Sequence, residues 1–149
     1  LTRSLSLFGG KMCELDEQDK RIEQILGRFD MDVSEESSLK YMDYLKQNIE
    51  FPCQLTGIED FPWEEYYVFG PGSKKEYEKL KKKQPSYTDT FNLISFENDL
   101  DENNGILVKV DRLSDKKKFL LPLADLKSTD EESKNYQLLD DYSVWFVNN

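Results

Sequence analysis

Ile49-Glu50-Phe51-Pro52-Cys53-Gln54-Leu55-Thr56-Gly57 is the stretch at which the periodicity of the chain changes. Before it, apolar residues recur at helical spacing; after it they come in short runs that alternate. Pro52 ends the preceding helix or holds Phe51 extended, because a residue before proline is driven from the helical region. Upstream, Leu15, Ile22, Ile25, Leu26 and Phe29 share one helical face, and Asp16, Glu17 and Asp19 sit early, where the helix dipole favours negative charge. Asp30-Met31-Asp32 breaks the pattern. Ser34 is a good N-cap for a second helix, with Glu35 and Glu36 in its first turn and Leu39, Met42, Leu45 and Ile49 as its stripe, flanked by Tyr41 and Tyr44. The two form a helical hairpin over 13–50.

Downstream, β-rich runs are expected near 51–56, 64–69, 89–97, 105–112, 117–122 and 142–148. Gly57, Asn103-Asn104-Gly105 and Ser114-Asp115-Lys116 supply turns, and Asn-Gly between two apolar runs is a strong hairpin signal. In the last run Tyr142, Val144 and Phe146 face one way, and Ser143, Trp145 and Val147 the other. Ser73 caps one inserted helix of Lys74 to Lys83, which Pro85 stops. The fold expected is α+β: one domain over 13–149, with the helical hairpin packed on a small curled antiparallel sheet or SH3-like barrel formed by 51–149. Residues 1–12, with Gly9-Gly10 and no acid, read as a tail, native or appended, and Met12 fits a natural start.

Charge narrows the function. The 149 residues hold 30 Asp and Glu against 20 Lys and Arg, a net charge of −10. Such a chain repels nucleic acid and anionic lipid and attracts cations and basic proteins, so neither nucleic acid nor membrane is expected as a partner. No apolar run is long enough to span a bilayer. There is no histidine, which removes histidine triads, imidazole acid–base chemistry and the common zinc sites. Cys13 and Cys53 cannot build a four-thiolate site and read as free thiols in a reducing compartment, which makes the expected location cytoplasmic. Carboxylate pairs arise by chance in so acidic a chain, and neither cysteine has a recognisable catalytic setting, so the chain is not expected to be an enzyme.

Several segments resemble the bacterial calcium-binding CcbP family: Phe51-Pro52-Cys53, Leu55-Thr56-Gly57, Tyr67-Val68-Phe69-Gly70, Gly105-Ile106-Leu107-Val108-Lys109-Val110 and Leu121-Pro122-Leu123-Ala124-Asp125-Leu126. The ending from Tyr136 to Asn148 is the most specific of them. The resemblance implies a small acidic protein that binds Ca2+ through surface carboxylates without an EF-hand and buffers or senses calcium inside the cell.

Calcium takes six to eight oxygen ligands from flexible loops. Four acidic clusters meet that description: Glu59-Asp60 with Glu64 and Glu65; Glu97, Asp99, Asp101, Glu102 and Asn103 around a hairpin turn; Asp130-Glu131-Glu132; and Asp140-Asp141. Asp99, Asp101 and Asn103 match positions one, three and five of an EF-hand loop, but Asn104 stands at the glycine position and Val110 where a bidentate Glu belongs. A polar hairpin tip is the competing reading. Asp125 is the lone acid in an apolar run; folded back, it would meet Asp140 or Asp141, and such carboxylates repel unless a cation sits between them. The expected ligands are therefore Asp99, Asp101 and Asn103, then Asp125, Asp140 and Asp141. Lys74, Lys75, Lys79, Lys81, Lys82 and Lys83 read as a solvated basic face or a docking patch for an acidic partner. The alternative function is a metal-free interaction module presenting Trp63, Tyr66, Tyr67 and Tyr87 to a protein partner.

Overall fold

Ser34 takes the N-cap position, its hydroxyl accepting from Ser37 N while Ser37 Oγ accepts from Ser34 N, a reciprocal capping box. It starts α2 (Glu35–Asn48), which pairs with α1 (Gly10–Leu26) as the expected helical hairpin. The computed structural model describes residues 10–149, with side chains from Glu17 onward. Of the expected tail, residues 1–9 lie outside the described residues, and residues 10–12 already belong to α1.

Both expected stripes are largely buried, through Ile22 and Leu26 on α1 and Met42, Leu45 and Ile49 at α2, while Phe29 and Leu39 are exposed. Gly27, at φ +94°, ends α1 before Phe29, which is 92% exposed. On α2 the buried face is Ser37, Ser38, Tyr41, Met42 and Leu45, and Leu39 lies outside. Tyr41 is turned inward by an aromatic cluster, with ring centroids 5.2 Å from Tyr142 and 5.1 Å from Trp145.

Five strands follow: β1 (Gln54–Gly57), β2 (Phe91–Phe96), β3 (Leu107–Arg112), β4 (Lys118–Pro122) and β5 (Leu126–Ser128). All neighbours are antiparallel in the order β4-β3-β2-β1-β5. Of the two forms expected, curled sheet or barrel, the sheet is open, with β4 and β5 as its edges. The β2–β3 loop closes on an Asp101–Gly105 bridge, and Gly105 has φ +71°. Lys116, at φ 63°, turns the β3–β4 hairpin.

Two expected strands are helical. Residues 64–69 lie in a 310 turn (Pro62–Glu64) running into the short α3 (Glu65–Val68). The cause is Glu64, which is fully buried. Its carboxylate accepts from Phe61 N, Tyr87 N, Tyr77 Oη and Ser86 Oγ at 3.2, 2.8, 2.6 and 2.7 Å, an anchor that a strand would not place. The inserted helix is α4 (Lys74–Leu80), capped by Ser73 as expected. Residues 142–148 belong to α5 (Lys134–Asn148), which Ser133 caps. Leu138, Leu139, Tyr142 and Trp145 are buried at helical spacing; the alternation of aromatic and branched residues there is incidental.

The helical hairpin meets the sheet chiefly through this unforeseen helix. α5 packs on β5, on the 310 turn Leu123–Asp125 and on α1. Trp145 Nε1 donates to Met31 O at 2.6 Å, fastening the hairpin loop to α5. At the end of β3, Arg112 is 3% exposed and donates to the carbonyls of Lys81, Lys82 and Gln84 and to Asp89 and Asp115. One guanidinium thus binds the end of the lysine-rich helix to β3.

Candidate metal centre

The register of β1 on β5 pairs Gly57 with Leu126. The next hydrogen bond out, Ile58 N to Asp125 O at 3.0 Å, carries the pairing to the residue before the strand. That step sets Glu59 and Asp60 beside Asp125. Gly57 is required at the pivot, because a Cβ there would lie 2.5 Å from the Tyr87 Cβ. Ser143 Oγ donates to Ala124 O at 2.7 Å and holds α5 over the same turn.

The result is a cleft of about 560 Å3 walled by Glu59, Asp60, Glu65, Asp125 and Ser143, with apolar edges at Phe69 and Val147. Asp125 is half-buried, and burial first, then the Glu59 charge, pushes its carboxyl above the usual carboxylate range. No ion pair among the described residues includes any of these four acids. The donors are all oxygen, the chemistry a hard divalent ion takes. Among the described residues no three Asp, Glu or Cys side chains converge as a ready-made chelate. Scattered oxygen donors of this kind suit calcium, which accepts long, irregular bonds and fills its shell with water, better than magnesium, which demands a tight octahedron.

The other expected ligands are placed differently. Asp101 Oδ2 accepts from Asn103 N, Asn104 N and Asn104 Nδ2 at 3.1, 2.8 and 2.9 Å, so its carboxylate closes its own turn. Asn103 donates its backbone N–H to Asp101, and Asp99 is exposed beside them. Asp141 is buried and paired with Arg21, whose Nε and Nη2 lie 2.8 and 3.0 Å away, and it also accepts from Gln18 at 2.9 Å. Asp140 is exposed and 3.3 Å from Gln18. Both face α1, while Asp125 faces Glu59, so the trio Asp125, Asp140 and Asp141 is not assembled: a helix at 134–148 directs its acids away from the 123–125 turn. Glu59, Asp60 and Glu65 were legible as an acidic cluster, but nothing in their spacing joins them to Asp125.

The aromatics of the alternative reading mostly pack on one another. Tyr67 stacks on Tyr77 at 5.6 Å, and Trp63 packs against both and donates to Pro85 O at 2.6 Å. Of the four, Tyr66 alone is exposed. Cys53 is a buried free thiol, pushed up to about 11 by burial; the Cys13 side chain lies outside the described residues. No helix among the described residues is long and apolar enough to cross a membrane.

Comparison with known proteins gives calcium as the ion. The chain resembles the crystal structure of Anabaena CcbP at a TM-score of 0.57 and 17% identity, over 88% of this chain and 89% of that one. It also resembles a calcium binding protein in the calcium-binding form, at 0.53 and 17%, over 89% and 91%. No curated protein matches it. The calcium-binding CcbP family profile matches residues 71–146, a span that contains Asp125 and leaves out Glu59, Asp60 and Glu65. With half of its length matched by that profile, the chain belongs to the CcbP family of calcium-binding proteins.

Proposed function

We propose that this calcium-binding protein takes the ion in the Asp125 cleft and acts as a calcium buffer in the cytosol, by binding and not by catalysis. One observation carries the site: a half-buried carboxyl, raised by its burial and by Glu59, lines an acidic cleft, and among the described residues no cationic side chain is paired to it. Asp125 and Glu59 supply the first oxygens, Asp60 and Glu65 turn in from the rim, and water completes the shell. The hairpin acids Asp99 and Asp101, with Asn103, and Asp140 on α5 add to the field that concentrates cations. Asp141 serves the fold through Arg21.

Without a preformed cage, affinity falls in the range of roughly 10⁻⁶ to 10⁻³ M found for flexible oxygen sites. That suits a buffer, which must release what it takes. A buried free thiol agrees with a reducing compartment such as the cytosol. Calorimetric titration of metal-stripped protein tests the site. Calcium should bind the parent, and Asp125→Asn should weaken it about tenfold or more, equivalent to about 1.4 kcal/mol. An Asp101→Asn variant that loses calcium while Asp125→Asn keeps it would move the site to the hairpin.

A further inference from the structure

The same cleft has an apolar rim that the calcium reading does not use. Phe69 is 77% exposed and Val147 73%, and both line the acidic cavity. A second hollow of about 380 Å3 adjoins it, sharing Pro62, Glu65 and Phe69 and adding the exposed Tyr66. The two form one groove along the outer side of residues 58–70. Large apolar side chains bared together beside a concave surface mark interaction sites more often than scattered single ones do. Charge decides the occupant: Glu59, Asp60, Glu65 and Asp125 line the groove, and among the described residues no Lys or Arg does.

We propose that this groove docks a basic amphipathic segment of a partner protein, and that calcium and the segment compete for it. Apolar anchors of the segment rest on Phe69 and Val147. Its lysine or arginine stems lie along the apolar rim and carry their charges to Asp125 and the neighbouring acids. An ion held by Asp125 and Glu59 cancels half of the groove's four negative charges and occupies the carboxylates the segment would use, so calcium loading weakens the partner, and by reciprocity the partner weakens calcium. The inference rests on the Asp125 cleft being the calcium site, and it gives a buffer a readout without requiring a change of shape.

A labelled synthetic lysine–leucine amphipathic peptide, followed by fluorescence anisotropy in calcium-free buffer of fixed ionic strength, tests it. The peptide should bind the parent, and its glutamate–leucine counterpart should not. A double variant, Phe69→Ser with Val147→Ser, should lose about tenfold or more in peptide affinity; both positions are exposed, so it folds, as circular dichroism would verify. Saturating calcium should weaken the peptide about tenfold or more, and magnesium less. Unchanged peptide affinity in the double variant, no effect of calcium, or sedimentation showing a dimer of the parent that the double variant loses would each overturn the proposal. The two readings fail differently. The calcium site fails if Asp125→Asn keeps the parent's calcium affinity without peptide; the docking surface fails if the serine variant keeps the parent's peptide affinity.

Discussion

Trp145→Ala is the substitution that most sharply separates a C-terminal helix from a C-terminal strand. In α5, Trp145 is fully buried between Tyr41 and Tyr142 and donates to Met31 O at 2.6 Å. Truncating a buried tryptophan costs about 3–5 kcal/mol, and the Met31 carbonyl loses its donor as well. Against a total stability of about 5–15 kcal/mol this is roughly a fifth or more of the whole. Val147, two residues on, is largely exposed, and Val147→Ala should stay within about 0.5 kcal/mol. A strand would put both on one face, burying Val147 with Trp145 and making both substitutions costly. Urea denaturation of both variants measures the difference, and a chain of this length loses about 2–4 °C of melting temperature per kcal/mol. Comparable losses for Trp145→Ala and Val147→Ala would refute the helical packing of α5 and its role in joining the hairpin to the sheet.

Arg112→Lys keeps the charge but cannot reach three carbonyls and two carboxylates from one ammonium, so it should cost about 2–3 kcal/mol in the same assay; no loss would mean that the end of α4 is held elsewhere. The Arg112 guanidinium holds the Asp115 carboxyl down to about 2, so its stabilisation is complete above the ordinary carboxylate range and is lost as pH falls toward 2. Asp115→Asn should therefore flatten the fall of melting temperature with acid, and an unchanged slope would exclude the pair. Asp125 has the opposite sign: its raised carboxyl favours the fold when protonated and opposes it as pH rises through the folded value. Asp125→Asn should therefore be more stable than the calcium-free parent at neutral pH, and the difference should vanish in acid; a variant less stable at neutral pH would contradict the desolvated, repelled carboxyl described here.

Helices α2 and α4 were legible because Ser34 and Ser73 cap runs of consistent period, and β2 to β4 because alternation and turn residues agree. The misreadings share a cause. At 64–69 and 142–148, aromatic and branched residues spell a strand locally, and long-range burial overrules them, through Glu64 in one case and through Trp145 and Tyr142 in the other. Asp125 was legible as a lone acid in an apolar run. Its meeting with Glu59 was not, since the two come together through β5, a strand of three residues too short to leave a pattern. Asp141 looked free because Arg21, its partner, lies at the other end of the chain.

The most direct test of the calcium site is anomalous diffraction from crystals of the protein grown with calcium. The account predicts an ion in the cleft between residues 58–65 and α5, about 2.4 Å from a carboxylate oxygen of Asp125. An ion held instead by Asp99 and Asp101 at the β2–β3 turn, with the Asp125 cleft empty, would contradict it.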